Sequence, residues 1–282
     1  MKPVIFSHAD ILSVLPDRIA DSHKGHYGRI LLLCGSEGYT GAAALAAMGA
    51  LRAGAGLVYL GVPRCIYAIE AVKLTEPIVF PLPDLDGKFS ESAFEQLSRY
   101  FDQMDAILIG PGIGRSASVT KFVCQIMQTF QGPIVLDADG INAISEHIDI
   151  LRERTGTTIL TPHTGEFARL GGHITADRVI AAQQFAVEHN VIVLLKGHNT
   201  VITDGNTTYL NPTGNPGMAV GGSGDILSGI IIGLIGQGID PLRATACSAW
   251  LHGKAGDICA EQIGQYGMLP TDILSVLPRL LK

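Results

Sequence analysis

Gly221-Gly222-Ser223-Gly224-Asp225 stands immediately before a long apolar run that begins at Ile226. Neighbouring glycines let backbone N–H groups converge without side-chain interference, and the start of a helix adds a positive dipole end. Together they make an anion site suited to a phosphoryl group in transfer. Asp225, in the first turn, is expected to be held as the carboxylate by that dipole. A carboxylate beside a phosphate cradle can take the proton of an attacking hydroxyl. The plainer alternative is an aspartate that caps a helix after a flexible turn.

Other polar and glycine-rich segments each follow a short apolar run. They are Cys34-Gly35-Ser36-Glu37-Gly38-Tyr39-Thr40-Gly41-Ala42, Gly110-Pro111-Gly112-Ile113-Gly114, Asp137-Ala138-Asp139-Gly140-Ile141-Asn142, Thr161-Pro162-His163-Thr164-Gly165-Glu166 and Lys196-Gly197-His198-Asn199-Thr200. Glu166 is a candidate for holding Mg²⁺ or a water near phosphates, or it merely favours a helix dipole. His163 is either a ligand contact or a hydrogen-bonded turn histidine. Asp137 and Asp139 are either site residues or caps of the turn at Ile141-Asn142. The glycines of 110–114 do not keep the G-x-G-x-x-G spacing of a dinucleotide fingerprint, and no Walker-type G-x-x-x-x-G-K-[ST] loop occurs.

The elements that must position these residues are legible as alternating runs. Strands are expected over 29–33, 57–62, 106–109, 134–136, 158–160 and 191–195. Their apolar residues run continuously rather than alternating, as in a mostly parallel sheet covered on both faces. Helices are expected over 41–54, 116–130 and 175–189. A hairpin follows, with strands 200–203 and 207–210 around Asp204-Gly205-Asn206. Helices over 222–236, 241–262 and 271–281 then end the sequence, and the segment around Trp250 reads as core. Strands alternating with helices give an α/β layered fold. Ligands in such sheets gather at the carboxyl ends of the strands, where all five segments fall. No repeat, charged tail or linker divides the chain, so one domain over residues 1–282 is expected.

Composition narrows the classes. Apolar residues make up 47% and charged residues 16% of the 282, against about 25% charged in an average domain, which excludes a disordered chain. The net charge of −6 argues against a nucleic-acid binder that works through a basic surface. The best apolar runs between charges, 38–51 and 226–239, are fourteen residues each, short of the ~20 of a spanning helix. No signal-peptide core opens the sequence, so a cytoplasmic protein without membrane association is expected. Five scattered cysteines without a C-x-x-C pair fit reduced thiols better than a disulfide frame or zinc site. Glycine is abundant, 34 of 282 residues against about 7% in typical usage.

The residues carry a resemblance. The glycine–aspartate motif ending at Asp225 resembles that of the ribokinase-like superfamily. The chain is more specifically similar to the ADP/ATP-dependent NAD(P)H-hydrate dehydratases, the family of the YjeF C-terminal domain. His23-Lys24-Gly25-His26-Tyr27-Gly28-Arg29, the 35–42 segment, Ala50-Leu51-Arg52-Ala53-Gly54-Ala55-Gly56-Leu57-Val58 and the four later strand-end segments carry it. It implies a ribokinase-like three-layer α/β/α sandwich with a mostly parallel central sheet. It also implies repair of NADH or NADPH whose nicotinamide ring has gained water at C6. ADP, or ATP in some members, provides the driving force with Mg²⁺.

By the same resemblance Asp225 is the catalytic base, and Gly222, Ser223 and Gly224 form the anion hole. Ala42, Gly112, Gly114 and His163 contact the hydrate together with Asp225. Lys196, Gly197, His198, Asn199 and Thr200, with Gly224, hold the nucleotide, and Glu166 is the candidate for the Mg²⁺ shell. Here His163-Thr164-Gly165-Glu166 stands where many ribokinase-like kinases have Asn-x-x-Glu, which weakens transfer of the metal role. The resemblance further implies a homo-oligomer, a tetramer among the options. With no epimerase domain ahead of the sequence, a separate NAD(P)H-hydrate epimerase is the expected functional partner. The rival readings are a vitamin kinase that phosphorylates a thiazole or pyrimidine alcohol, a non-catalytic nucleotide sensor, and an NAD-dependent oxidoreductase.

Overall fold

The structure, a computed structural model, describes residues 3–174 and 177–282. Its frame is a nine-stranded sheet of β1 (Arg29–Leu33), β2 (Leu57–Pro63), β3 (Ile78–Leu82), β6 (Ala106–Ile109), β7 (Ile134–Leu136), β8 (Thr158–Leu160), β9 (Ile192–Leu195), β10 (Thr200–Thr203) and β11 (Thr208–Asn211). The spatial order is β11-β10-β9-β8-β7-β6-β1-β2-β3. From β3 to β9 every pairing is parallel, and β10 pairs antiparallel with both β9 and β11. A small separate hairpin joins β4 (Asp84–Leu85) to β5 (Lys88–Phe89).

The continuous apolar runs have a simple cause. Ile30, Leu32, Leu108, Val135, Ile159 and Leu194 point into one core, which they share with helices Thr40–Arg52, Ser223–Gly236 and Pro241–Ile263. Leu31, Leu33, Ile109, Leu136, Leu160 and Leu195 point into the other, against helices Ala117–Thr129 and Arg178–His189. Both faces are covered, so neither side of a strand needs polar residues. The layers are helices, sheet, helices, as expected. Trp250 belongs to the first core.

Helices Thr40–Arg52 and Ser223–Gly236 approach backbone to backbone. A Cβ at Gly229 would meet the Ala46 carbonyl, one at Gly233 the Ala50 carbonyl, and one at Gly49 the Ile226 carbonyl. The matching steps of four residues, Ala46 with Gly229 and Ala50 with Gly233, mean that the helices run parallel. One turn earlier, the same register pairs Ala42 with Asp225.

Several expectations are refined. Strand β3 and the β4–β5 hairpin go unannounced in the sequence, because Pro81 breaks the strand pattern and is tolerated only at a sheet edge. The hairpin strands lie at Thr200–Thr203 and Thr208–Asn211. The last helix is Pro270–Val276, followed by a 3-10 turn at Leu277–Leu281 that contains Pro278. Helix Arg178–His189 is capped by Asp177; Thr175 and Ala176, placed in that helix from the sequence, lie outside the described residues. Among the described residues no helix is long and apolar enough to cross a membrane.

Candidate functional site

The chain leaves β1 toward β2 and β3 at one edge, then returns to β6 on the other side of β1. That reversal opens a crevice beyond the carboxyl ends of β1 and β6, the usual ligand position in an open sheet. Backbone and small side chains build it. The Gly35 N–H donates to the Pro111 carbonyl at 2.8 Å, and Ser36 Oγ donates to the Gly112 carbonyl at 2.7 Å. Gly112 has φ +66°, and a Cβ there would stand 2.9 Å from both Ala42 Cβ and Tyr39 Cβ. Ala42 and Gly112 are therefore brought together. Gly114 lies two residues beyond, its N–H donating to Asp139 Oδ2 at 3.1 Å and the Lys88 stem lying alongside.

At the ends of β7 and β9 the chemistry changes to charge. Asp137 is 1% exposed, and its Oδ1 accepts from Lys196 Nζ at 2.5 Å, from Thr161 Oγ1 at 2.7 Å and from the Ala138 N–H at 3.0 Å. Gly222, at φ +98°, opens helix Ser223–Gly236 with no side-chain cap; the Ser223 N–H turns back on the Val220 carbonyl at 3.3 Å, and the Gly224 and Asp225 N–H groups are left to an outside acceptor. A Cβ on Gly224 would stand 3.5 Å from Lys196 Nζ and 3.9 Å from Asp137 Oδ2. The ammonium thus lies at the floor of the cradle. Capping as the sole role of Asp225 is not supported, because the helix carries no side-chain cap.

The electrostatics reverse one expectation. The helix dipole favours Asp225 as the carboxylate, yet its carboxyl is pushed up to about 6. Burial is the main cause and the neighbouring Asp137 the second, with Lys196 opposing them. A carboxylate poised there still ionises at neutral pH and accepts a proton better than an ordinary aspartate. Neither Asp137 nor Asp139 caps the helix Asp139–Ile144. Asp139 instead ties Gly114, Arg115 and Asn142 together.

An open cavity of about 910 Å³ adjoins the cradle, lined among others by His163, Lys196, Gly197, His198, Asn199, Thr200, Gly222, Ser223 and Gly224. The structure so gathers the whole 196–200 segment, the anion hole and His163 around one space. Asp225, Ala42, Gly112, Gly114 and Glu166 are not on its wall. The Glu166 carboxylate accepts from the His163 N–H at 2.9 Å, while His163 Nδ1 accepts from the Gly165 and Glu166 N–H groups. His163 is therefore a turn residue and a cavity residue at once, and Glu166 closes a capping box beneath it.

The sequence reading left one residue undecided and missed another. Asp137 was legible at its strand end but could not be told from a cap. His252 had no motif to mark it. It is buried on the cavity wall, its Nε2 3.3 Å from Ser223 Oγ, and burial followed by Lys196 pushes it down to about 4. Only the packing of helix Pro241–Ile263 against the cradle brings it there.

Fold and site together define a ribokinase-like class: a mostly parallel sheet between two helical layers, with a glycine cradle followed by a half-buried aspartate. A ribokinase from Thermotoga maritima shares this architecture at the level of fold alone, with 15% identity and a TM-score of 0.54 over 90% of this chain and 99% of that one. A family model described as NAD(P)H-hydrate dehydratase matches residues 30–279, and the chain belongs to that family. It is 46% identical over 277 residues to a bifunctional NAD(P)H-hydrate repair enzyme of Moorella thermoacetica, matching 96% of this chain and 52% of that protein. The chain thus spans about half the length of the first curated relatives it matches. An ADP-dependent (S)-NAD(P)H-hydrate dehydratase of Bacillus subtilis is 34% identical over 100% of this chain and 99% of its own length. A crystal structure of the ADP/ATP-dependent NAD(P)H-hydrate dehydratase from Bacillus subtilis, co-crystallized with ATP/Mg²⁺, superposes with a TM-score of 0.83 at 31% identity, covering 99% and 98% of the two chains.

Proposed function

We propose that this chain, acting as one catalytic domain, dehydrates the S epimer of NADH or NADPH hydrate at the expense of ADP, with ATP as an alternative donor. The terminal phosphoryl of ADP is transferred to the C6 hydroxyl: the new P–O bond forms as the bond to AMP breaks, and Asp225 takes the hydroxyl proton. The ring nitrogen then pushes its electron pair toward C6 as phosphate leaves with the C–O electrons. Loss of a proton from the neighbouring carbon restores the ring. The products are NAD(P)H, AMP and phosphate.

One observation carries this reading. The carboxyl of Asp225, poised at about 6, follows directly on a cradle whose floor holds Lys196 and lies in helical register with Ala42. In this reading Ala42, Gly112, Gly114 and His163 hold the hydrate, Lys196 to Thr200 with Gly224 hold the nucleotide, and Gly222, Ser223 and Gly224 bind the transferring group. Among the described residues no group of three His, Cys, Asp or Glu side chains is placed to hold a metal ion by itself. The oxygen donors here suit Mg²⁺, which is commonly held by one or two carboxylates plus substrate phosphates. When bound, the ion supplies charge neutralisation at the phosphates. Glu166 is the candidate carboxylate, though its present hydrogen bonds serve the His163 turn.

A homo-oligomer, a cytoplasmic setting and an epimerase working on the same substrate complete the proposal. The bifunctional names of relatives twice as long support that last partner. The test is direct. Chemically hydrated NADH with ADP and Mg²⁺ should regain the near-ultraviolet absorbance of the reduced nicotinamide, with AMP and phosphate released in equal amounts. Accumulation of a stable phosphorylated alcohol from a vitamin precursor instead would overturn the reading.

A further inference from the structure

We infer that Asp137 is a positioning residue for phosphoryl transfer: it anchors the Lys196 ammonium at the floor of the cradle and sets the proton affinity of Asp225 across it. The inference rests on the proposed phosphoryl chemistry and adds a residue to it.

The geometry carries the argument. Asp137 is buried at the end of β7, and all its recorded side-chain hydrogen bonds converge on one oxygen. Oδ1 takes the Lys196 ammonium at 2.5 Å, the Thr161 hydroxyl at 2.7 Å and the Ala138 N–H at 3.0 Å. Oδ2 instead lies toward Gly224, 3.9 Å from where a Cβ would stand. The turn that aims the carboxylate is strained. Ala138 has φ +49° and ψ −115°, a conformation that favours glycine, while the Gly140 N–H closes the turn on the Asp137 carbonyl at 2.9 Å. Such strain persists only where the surroundings hold it.

The pairing suits the task. A lysine side chain has many rotamers, and a free one facing a cavity would sample several. Clamped by a buried carboxylate, it is already in place when a phosphate arrives, which cuts the cost of ordering it. The carboxylate partly offsets the lysine charge and raises the proton affinity of Asp225. Four titratable groups face this space from the packed elements. Asp137 follows β7, Lys196 follows β9, Cys34 follows β1, and His252 lies on helix Pro241–Ile263. Burial and then Asp225 push the Cys34 thiol up, while burial and then Lys196 push His252 down to about 4. Both are neutral around pH 7, so the Asp137–Lys196 pair is the charged influence on Asp225.

Direct titration of Asp225 tests this without any turnover. ¹³C-carboxyl NMR of full-length protein, with the resonance assigned by Asp225→Asn, reads its midpoint. Asp137→Asn should lower the midpoint by about one pH unit, and Lys196→Met should raise it by a similar amount. The double variant D137N/K196M leaves no unpaired charge, which protects folding. It should titrate between Asp137→Asn and wild type. Calorimetry should show Asp137→Asn binding ADP about tenfold more weakly, and Lys196→Arg retaining much of the affinity. An unchanged or raised Asp225 midpoint in Asp137→Asn, or the same order of shifts with undiminished ADP affinity, overturns the inference. Failure of the hydrate assay alone, with these shifts present, would instead count against the proposed reaction.

Discussion

The crevice at β1 and β6 and the glycine cradle beside the ends of β7 and β9 lie at the carboxyl ends of the strands but are built from opposite materials. In the crevice, main-chain groups and small side chains hold the main chain: the Gly35 N–H to Pro111, the Ser36 hydroxyl to Gly112, with Ala42 against Gly112. In the cradle, ionisable side chains face one another: Asp137 and His252 are buried, Lys196 and Asp225 half-buried. The difference separates two demands. A crevice fits a ligand by shape and close approach, and charge there would be costly to desolvate. A cradle must answer charge that moves during reaction, which preorganised dipoles and ions do well. The glycine and alanine contact between helices Thr40–Arg52 and Ser223–Gly236 locks the two together.

Asp225 sits where the regions meet, and its removal should have the largest effect. Asp225→Asn keeps size and shape but cannot accept a proton. It should cut kcat by about 10³–10⁴-fold while leaving ADP affinity within about threefold, since nucleotide lines the cavity rather than the carboxylate. Steady-state rates and calorimetry on the same preparation separate the two. Activity of wild type should rise with pH through about 6 as this carboxyl ionises; a rate flat across that range would dissociate the base from Asp225.

Breaking the tie between the regions comes next. Gly229→Val would force side-chain carbons against the Ala46 carbonyl. Overpacking of this kind costs about 1–3 kcal/mol or more, read as a lower urea midpoint. Because the helix pair carries Ala42 and Asp225, both hydrate and nucleotide KM should worsen. If only stability falls, the lock is not part of the site.

The contrast also explains what the sequence could and could not disclose. Crevice and cradle glycines were legible, because motif, strand end and helix start coincide within a few residues. The parallel strands were legible because coverage on both faces leaves an unbroken apolar run. Strand β3 was hidden by Pro81 at the edge, where local pattern is weakest. Asp137 and His252 matter through partners 59 and 29 residues away, and a single sequence records no such distance. The pKa of Asp225 was misjudged for the same reason: the helix dipole is local, whereas burial and Asp137 are tertiary.

Keeping a charge at that point has a stability consequence. The folded carboxyl titrates near 6, against an ordinary value of 3.8. Between these values the folded state binds more protons than the unfolded one. Stability is therefore lost as pH rises through that window, and the full cost is present above it. Asp225→Asn should raise stability at pH 8 by about 3 kcal/mol and change it little near pH 4. Denaturant titrations at both pH values read the difference, and equal effects at the two would show that the gain is not electrostatic.

The mildest test addresses the crevice alone. Gly112→Ala places a methyl group 2.9 Å from Ala42 Cβ and Tyr39 Cβ on a backbone of φ +66°. The turn must shift by a few tenths of an ångström, taking the Ser36 hydrogen bond with it. If dinucleotide recognition lives here by shape, KM for the hydrate should rise about tenfold. ADP affinity should stay at the wild-type value, because the cradle is formed at the start of helix Ser223–Gly236 over Lys196 and shares no residue with this turn. A loss of ADP affinity of equal size would show that the two regions act as one pocket, and the division of labour between backbone and charge would fail with it.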